Sequence, residues 1–397
     1  MPEPHSRRAL ETLTELVRFD TRTETRRESD LGRLLLERLS ELGLEAQLVE
    51  AGEGRVNAVG VWRGEGGGTS LMFNGHVDTN PLTAGWTVDP WGGFSDGTFV
   101  YGLGVSNMKA GCASYLEAVR TLREADWRPR GDVVLEFVVG ELQNGVGTRA
   151  LIEAGYRADF FVNCEPTDLA ALTTHAGALS FDIELRGQTR HMSKREEAAD
   201  AAAAAAALLP EIDAMTFGGA DEEALRTNRA HVGVLRAGLG QEMLASRPPQ
   251  VADVAHLLGS ARYGPGQTAD SVLVDLQQTV DRVCSACPGV GGAVRRVGEG
   301  GAGSMEMPFH VARDSPIVRA VNESYRRIRG GDQPTGALRP YCFYGSDASL
   351  LQHLAGMPGV VCGPGGKYNT MPDERVEIVD YLDAISIHMH TIRMICG

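Results

Sequence analysis

Three motifs that carry histidine or acidic residues follow apolar segments of the sequence. His76 and Asp78 lie in GHVD after TSLMFN, Glu141 lies in GEL after DVVLEFVV, and Glu165 lies in CEP after FFVN. Imidazole and carboxylate groups that converge are what a zinc site or a general acid/base site requires. A lone histidine at a strand end more often has only a structural hydrogen bond. Three such strand ends in one half of the chain favour a functional site.

The segments around these motifs predict how the chain positions them. TSLMFNGHVDT, DVVLEFVVG and FFVNCEPT have the pattern of buried strands, and MKAGCASYLEAVRTLREA has the pattern of a helix. Strands separated by helices indicate a parallel or mixed sheet with crossover connections. Ligands collect at the carboxyl ends of such strands. We therefore expect His76, Glu141 and Glu165 at one edge of the sheet.

The middle of the chain has a different pattern. LSFDIELRG alternates like a half-exposed strand, EEAADAAAAAAALLPEI predicts a helix, AHVGVLRAG and VADVAHLLGSARY predict two further strands, and DSVLVDLQQTVDRV predicts a second helix. The α/β pattern resumes after about residue 308. We therefore predict an α/β fold: a mixed-sheet catalytic domain in two segments, 1–179 and 297–397, with a smaller α+β domain inserted at 180–296.

Length and composition limit the class of protein. The 397 residues exceed the usual size of one domain, and no apolar run is long enough to span a bilayer. A formal charge of −14 without a basic stripe argues against nucleic acid and leaves small molecules as the expected partners. The first residues lack the features of a secretory signal, and seven cysteines suit free thiols, so we predict a cytoplasmic protein with no membrane association.

Beyond these separate signals, the sequence resembles the M20 metallopeptidase family along essentially its whole length. The resemblance rests on the order and spacing of GHVDTNP, GWTVDPWGG, DGTFVYGLG, NMKAG, RGQTRHMS, ARYGPGQT, GSDASLL and GPGGKYNTMPDERVEI. The family includes acetylornithine deacetylase, succinyl-diaminopimelate desuccinylase, aminoacylase and carboxypeptidase G2. The resemblance implies a sandwich-like catalytic domain that holds two zinc ions, an inserted lid domain that usually dimerises, and hydrolysis of an amide bond.

The same resemblance assigns roles to the four residues of the first motifs. It matches a histidine ligand to His76, its orienting aspartate to Asp78, the general base to Glu141 and a carboxylate ligand to Glu165. Other ligand positions depart from the family. The residues found where a bridging aspartate, a glutamate ligand and a histidine ligand are expected are Asn107, Leu142 and Thr370.

These departures lead us to expect no metal cofactor. A carboxamide oxygen is a poor zinc ligand and leucine is none, so the two-zinc site is predicted to be lost. One weakly bound zinc ion on His76 and Glu165, with Asn107 or water, is the remaining option. Without a dication, two neighbouring carboxylates push one pKa upward, which suits Glu141 to general acid/base chemistry. His76 and Asp78 either form an acid/base pair or simply satisfy each other's hydrogen bonds.

Four further residues are candidates for substrate contact. The resemblance matches His191 in RHMS to a lid histidine that reaches the partner subunit's active site, and Arg262 in SARYGPG to an arginine that holds a substrate carboxylate. His175 in THAG lies at the predicted hinge. For His175 and Arg262, hydrogen bonding between domains is an equally good explanation. Asn107, beside the predicted site, is the fourth candidate.

Two classes of function follow from these residues. The first is an enzyme that hydrolyses, transfers or cyclises the amide or ester bond of an acylated amino acid or peptide-like metabolite, with Glu141 as general acid/base and without the usual zinc pair. The second is a non-catalytic dimer that binds a ligand or partner. A conventional zinc-dependent deacylase is a more distant alternative. In each case the inserted domain is expected to form a homodimer.

Overall fold

The computed structural model describes residues 5–219, 221–244, 249–297 and 307–397. The chain divides into two compact units. Unit 1 comprises Met1–Thr173, His310–Tyr341 and Ser346–Gly397, and unit 2 comprises Thr174–Phe309 and Cys342–Gly345. Within the described ranges, no helix is both long and apolar enough to cross a membrane.

The strands are short and mostly apolar. In chain order they are β1 (Glu45–Glu50), β2 (Val56–Trp62), β3 (Leu71–His76), β4 (Phe99–Tyr101), β5 (Val133–Val138), β6 (Phe160–Asn163), β7 (Ala171–Leu172), β8 (Thr174–His175), β9 (Gly177–Arg186), β10 (Arg229–Gly238), β11 (Val254–Tyr263), β12 (Gly291–Arg296), β13 (Phe309–His310), β14 (Thr335–Gly336), β15 (Gly359–Val361) and β16 (Arg375–Glu377).

The α-helices alternate with these strands in the first and last thirds of the chain. They are α1 (Ser6–Val17), α2 (Glu28–Glu41), α3 (Ala110–Glu124), α4 (Val146–Glu153), α5 (Ala201–Asp213), α6 (Glu222–Leu225), α7 (Ala269–Ser285), α8 (Pro316–Arg329), α9 (Ala348–Ala355) and α10 (Ile378–Cys396). Short turns of other helix types are Val105–Lys109, Glu141–Gln143, Met192–Glu197 and Tyr341–Phe343.

Unit 1 is built on one mixed sheet with the strand order β1-β2-β5-β3-β6-β15-β7-β14. β3 runs parallel to both of its neighbours, with His76 opposite Val138 of β5 and Asn74 opposite Asn163 of β6. All residues of β3 and β5 are buried, as expected of continuous apolar runs covered on both faces. The carboxyl ends of three strands, β3, β5 and β6, therefore lie at one edge of the sheet.

The helix α3 lies close to the end of β6. A Cβ atom added at Gly111 would lie 2.4 Å from the Cys164 carbonyl oxygen, so only glycine permits this approach. The turn after β5 also depends on special residues, because Gly140, Asn144 and Gly145 have φ values of 67°, 64° and 64°. The left-handed region is open to glycine and tolerated by asparagine. This turn carries Glu141 back toward the end of β3.

Unit 2 has an antiparallel sheet with the order β10-β11-β9-β12. α5 and α7 pack against one face of this sheet around a core that includes Phe181, Ile183, Leu257 and Leu276. The strands and helices predicted in this region are present. The helical spacing of the leucines in residues 6–44 predicts an amphipathic helical stretch there. The structure divides it into two helices, α1 and α2, because residues 18–27 between them leave the helical conformation.

Candidate metal and catalytic site

The structure brings together the three residues that the motifs singled out. His76 ends β3, Glu141 follows β5 by three residues, and Glu165 follows β6 by two. One potential ligand atom from each side chain lies within 4.8 Å of those of the other two, and all three residues are buried. The parallel arrangement of the strands accounts for this convergence, since it places their ends at one edge.

His76 is oriented so that one ring nitrogen faces the other two groups. Its Nδ1 atom lies 2.8 Å from the Asp78 carbonyl oxygen, which assigns the proton of the neutral ring to Nδ1. Its Nε2 atom then presents a lone pair 3.0 Å from Asn107 Oδ1 and 3.4 Å from Glu165 Oε1. Three electron-rich atoms converge here, an arrangement that favours a proton or a metal cation between them.

The fully buried side chain of Asp78 holds the turn that carries Glu141. Its two carboxylate oxygens accept hydrogen bonds from the backbone N–H groups of Glu141 (3.2 Å) and Leu142 (3.1 Å). One of these oxygens also lies 3.6 Å from His76 Nδ1. Burial raises the pKa of Asp78, but His76 and the two N–H groups outweigh this effect and keep the pKa below its usual value. Asp78 therefore fixes His76 and Glu141 at the same time.

The charges of the cluster influence one another strongly. Burial lowers the pKa of His76, but the neighbouring Glu165 and Asp78 carboxylates outweigh burial and raise it. Burial, followed by the nearby Glu165, raises the pKa of Glu141 well above its usual value, although His76 opposes this. This is the direction that the sequence predicted for one carboxylate of the pair. A bound dication reverses the balance, since it favours ionised carboxylates.

The donor set fits a divalent metal ion. Imidazole and carboxylate are the kinds of side chain found in catalytic zinc sites, where one coordination position stays open. Ligand bonds of about 2.1 Å in tetrahedral geometry place two ligand atoms ~3.4 Å apart. His76 Nε2 and Glu165 Oε1 are 3.4 Å apart. The hydrogen bond at Nδ1 is the outer contact that ordinarily orients a metal-binding histidine.

Two buried acids near the cluster were not identified as functional by sequence reasoning. Glu374 is 2% exposed and accepts hydrogen bonds from the backbone N–H groups of Ser106 (2.9 Å) and Asn107 (3.0 Å), so it holds the turn that presents Asn107. Burial raises its pKa to about 7. In the sequence, Glu374 lies four residues after Thr370 and follows no apolar strand pattern that would mark it as functional.

Asp347 is the second of these acids. It lies just before α9 and accepts a hydrogen bond of 2.7 Å from the Thr148 hydroxyl, while its Oδ1 atom has no partner among the described residues. Burial raises its pKa to about 7, and its charge contributes to the raised pKa of Glu141. The sequence contained a signal, the acid within GSDASLL, but its neighbours gave no reason to place it near the site.

The other three predicted site residues belong to unit 2. His191 is exposed, and its Nδ1 atom accepts a hydrogen bond of 3.2 Å from the Ser193 N–H. His175 is fully buried and stacks on Phe309, with ring centroids 5.2 Å apart. Arg262 donates to the Ser260 hydroxyl at 2.9 Å, and burial lowers the pKa of its guanidinium group. Their predicted contacts with substrate stay predictions.

Comparisons with known proteins place the chain among hydrolases. A family model described as Peptidase family M20/M25/M40 matches residues 72–394. Over its full length, the chain is 24% identical to N-formyl-4-amino-5-aminomethyl-2-methylpyrimidine deformylase of Bacillus subtilis and covers 96% of that protein.

Solved structures are similar over nearly the whole chain. A tripeptidase from Staphylococcus aureus gives a TM-score of 0.76 at 22% identity, with 99% of each chain covered. A Bacillus subtilis protein described as a dinuclear metal binding peptidase from M20 family gives a TM-score of 0.68 at 15% identity, with 98% of each chain covered. These similarities confirm the predicted mixed α/β fold.

The expectation of no metal cofactor is wrong. The family model, the dinuclear metal binding peptidase of the same fold and the cluster of His76, Glu141 and Glu165 all contradict it. The error came from comparing ligand positions one at a time. Taken together, His76, Glu141 and Glu165 offer potential ligand atoms within 4.8 Å of one another, which that comparison did not include.

Proposed function

The chain belongs to peptidase family M20/M25/M40, as the sequence resemblance indicated, and from this premise we propose that it is a metal-dependent hydrolase of small N-acylated amines. The observation that carries the proposal is the buried cluster of His76, Glu141 and Glu165 at one edge of the sheet. This favours a metal-dependent deacylase, the more distant of the alternatives that follow from the sequence.

The substrate class is supported by the full-length relative. That protein is named for the removal of a formyl group from a small aminomethyl compound, and the similarity extends over the whole of this chain. An acyl group on the nitrogen of a small amine is also the common element of the acylated amino acids and peptide-like compounds predicted from the sequence. We therefore propose hydrolysis, rather than acyl transfer or cyclisation, as the reaction.

We assign separate roles to the residues of the cluster. His76 and Glu165 would hold the metal ion, with Asn107 beside them. When bound, the ion would polarise the amide carbonyl group and make water a stronger nucleophile near neutral pH. Glu141 takes up the proton of the attacking water and delivers it to the departing amine nitrogen. Asp78 keeps His76 and the Glu141 turn in place for this exchange.

The test compares metal content and turnover in matched variants. The substrate probe is N-formylbenzylamine, and metal is measured by mass spectrometry after dialysis against zinc. We expect Glu141→Gln to retain metal and to lose about 10²–10⁴-fold in kcat, the usual contribution of a general acid/base. We expect His76→Ala to lose both metal and activity.

Three other results of this experiment would contradict the proposal in different ways. Loss of metal in Glu141→Gln would make Glu141 an essential ligand. Full activity in that variant would remove its catalytic role. Binding of the probe without turnover by the metal-loaded protein would favour the non-catalytic alternative.

We also propose that unit 2 mediates a homodimer. β10 is an edge strand, and two paired residues, Val234 of β10 and Leu258 of β11, are 40% and 41% exposed. An edge strand beside exposed apolar side chains is suited to pairing with a second copy.

The domain limits at 180 and 296 and a cytoplasmic location remain predictions.

A further inference from the structure

A cavity opens beside the Glu141 turn on the side of Leu142. Its volume is about 530 Å³, which is within the range of about 300–1,000 Å³ typical of small-molecule sites. Thr23, Asn80, Pro81, Leu142 and Gln143 contribute to its lining. These residues lie outside the cluster of His76, Glu141 and Glu165, and all of them belong to unit 1.

The charged residues of the cavity already have partners. Glu24 and Arg26 complete its lining. Glu24 accepts a hydrogen bond of 3.4 Å from Arg22, and Arg26 forms an ion pair with Glu53. Each lining charge therefore has an oppositely charged neighbour, and Glu24 shares Arg22 with Asp20, which accepts from Arg22 at 2.8 Å. This favours an uncharged group as the occupant.

Asn80 supplies the polar recognition. Its side-chain amide makes no hydrogen bond to any residue in the described part of the chain. An asparagine amide has one acceptor oxygen and two N–H donors in a plane, and it pairs well with a ligand edge that has a donor next to an acceptor. Gln143 accepts a hydrogen bond from Arg55 through its carbonyl oxygen, so its NH₂ group is left to donate. Leu142 and Pro81 provide apolar surface.

The same turn positions the wall of the cavity and the reacting cluster. Leu142 follows Glu141 directly, and its backbone N–H is held by Asp78. Asn80 is two residues beyond Asp78 and lines the same cavity. A carboxylate at position 142 would bring a negative charge to this wall, whereas the leucine keeps it apolar. The turn that positions Glu141 therefore also shapes the neighbouring pocket.

We propose that this cavity is the specificity pocket for the amine part of the substrate, and that it selects a flat, uncharged group with a hydrogen-bond donor next to an acceptor. Asn80 forms hydrogen bonds with the polar edge of this group, and Leu142 contacts its flat face. The inference rests on the proposed function, because it places the acyl nitrogen of the same molecule beside Glu141. It adds the chemical class of the group that the enzyme recognises.

The test uses three substrates that differ at one position. They are the N-formyl derivatives of 4-(aminomethyl)benzamide, 4-(aminomethyl)benzoate and 4-methylbenzylamine. The first carries an uncharged donor–acceptor edge, the second a charge and the third a methyl group. One good bidentate pair discriminates by about tenfold or more. We expect kcat/KM for the carboxamide to exceed both others by at least about tenfold.

Variants then assign this preference to the cavity. We expect Asn80→Ala to reduce the carboxamide-to-methyl ratio to within about twofold, and Asn80→Asp to do so with nearly unchanged side-chain size. Leu142→Ala is expected to raise KM for all three probes. Leu82→Ala is the control, since Leu82 is an exposed apolar residue of the same loop that does not line the cavity.

A binding measurement separates this inference from the proposed function. Calorimetric titration of the three intact probes into Glu141→Gln requires no turnover. If binding of the probes depends on Asn80 but the unaltered enzyme hydrolyses none of them, the assignment of the cavity stands and the proposed hydrolase activity is rejected. Turnover with the same ratio in Asn80→Ala and Asn80→Asp as in the unaltered enzyme would reject the cavity and leave the hydrolase. Absence of any Asn80-dependent difference in both readouts overturns the inference.

Discussion

Asp78 connects the two sides of the reacting cluster at the level of single atoms. Its backbone carbonyl accepts the His76 Nδ1–H, and its carboxylate accepts the N–H groups of Glu141 and Leu142. Replacing the side chain by alanine leaves two N–H donors, one buried and one partly buried, without this acceptor. Each such donor costs about 1–3 kcal/mol.

We therefore expect Asp78→Ala to lower the free energy of unfolding by about 2–6 kcal/mol and to reduce metal content as the turn loosens. Urea denaturation and mass spectrometry measure the two effects. Asp89→Ala is the control, because the exposed Asp89 carboxylate also accepts a backbone N–H, from Trp91. Equal stability of the two variants would show that Asp78 does not hold the turn.

Glu136 gives a pH-dependent prediction. It is buried in β5 and accepts a hydrogen bond from Asn74, and burial raises its pKa from the usual 4.5 to about 8. The folded state thus binds this proton more tightly than the unfolded state does. Its contribution to stability is complete below about pH 4.5 and is lost as the pH rises toward 8.

Glu136→Gln removes this titration and retains an oxygen for Asn74. We expect the free energy of unfolding of the variant, relative to that of the unaltered protein, to increase from pH 5 to pH 9. The increase should reach up to about 4 kcal/mol, at about 1.4 kcal/mol per pKa unit. Urea denaturation at both pH values measures the difference. Glu153→Gln, an exposed acid at the end of α4, should show no such gain. An equal stability difference at pH 5 and pH 9 for Glu136→Gln would contradict the prediction.

The residues that could be predicted from the sequence are those at the ends of apolar strands with a pattern of their own. His76, Glu141 and Glu165 each follow such a strand, so their convergence follows from sheet topology alone. Glu374 and Asp347 follow no comparable signal. Each reaches the site through contacts with residues more than 190 positions away in the chain, which only the folded structure specifies.

At the scale of elements, the limits of prediction have the same physical origin. The buried strands β3 and β5 and the long helix α7 were recognisable because each has its own apolar pattern. β7, β14 and β15 have two or three residues each and exist only through pairing with distant segments. The break between α1 and α2 was missed because leucine spacing on both sides suits a helix.

The packing of α3 on the end of β6 leads to a test of how elements position the site. Gly111→Ala would place a methyl group 2.4 Å from the Cys164 carbonyl oxygen, one residue before Glu165. Because that neighbour is backbone, the helix or the strand end must move. Overpacking of this kind costs about 1–3 kcal/mol.

We expect Gly111→Ala to unfold at lower urea concentration and to bind metal more weakly, since Glu165 shifts with Cys164. Gly331→Ala is the matched control, because a Cβ atom there meets nothing within 4 Å. Unchanged metal affinity together with lower stability would mean that α3 supports the fold without positioning Glu165.

At the scale of the whole molecule, the proposed homodimer can be tested on the exposed face of unit 2. Leu258 lies opposite Val234, and adjacent residues of a strand face opposite sides of a sheet, so Leu258 faces away from the side of buried Leu257. We expect Leu258→Lys to convert a dimer into a monomer in sedimentation velocity. Val274→Lys, at an exposed site on α7, should leave the mass unchanged. A monomeric unaltered protein would reject the dimer.

Metal binding should also stabilise the molecule as a whole, because the proposed ligands His76 and Glu165 converge only when β3 and β6 pair. A ligand that binds only the folded state adds about 2.7 kcal/mol at one hundred times its Kd. We expect chelator-treated protein to unfold at a lower temperature than protein supplied with zinc. In His76→Ala the two samples should unfold at the same temperature.

Calorimetry makes this comparison without any substrate and therefore does not depend on the proposed reaction. A zinc-dependent shift that persists in His76→Ala would mean that the stabilising ion binds elsewhere. If zinc causes no shift in the unaltered protein, a proton on His76 would instead lie between the lone pairs of His76, Asn107 and Glu165. The presence or absence of a shift thus decides whether the cluster holds a zinc ion or a proton at neutral pH.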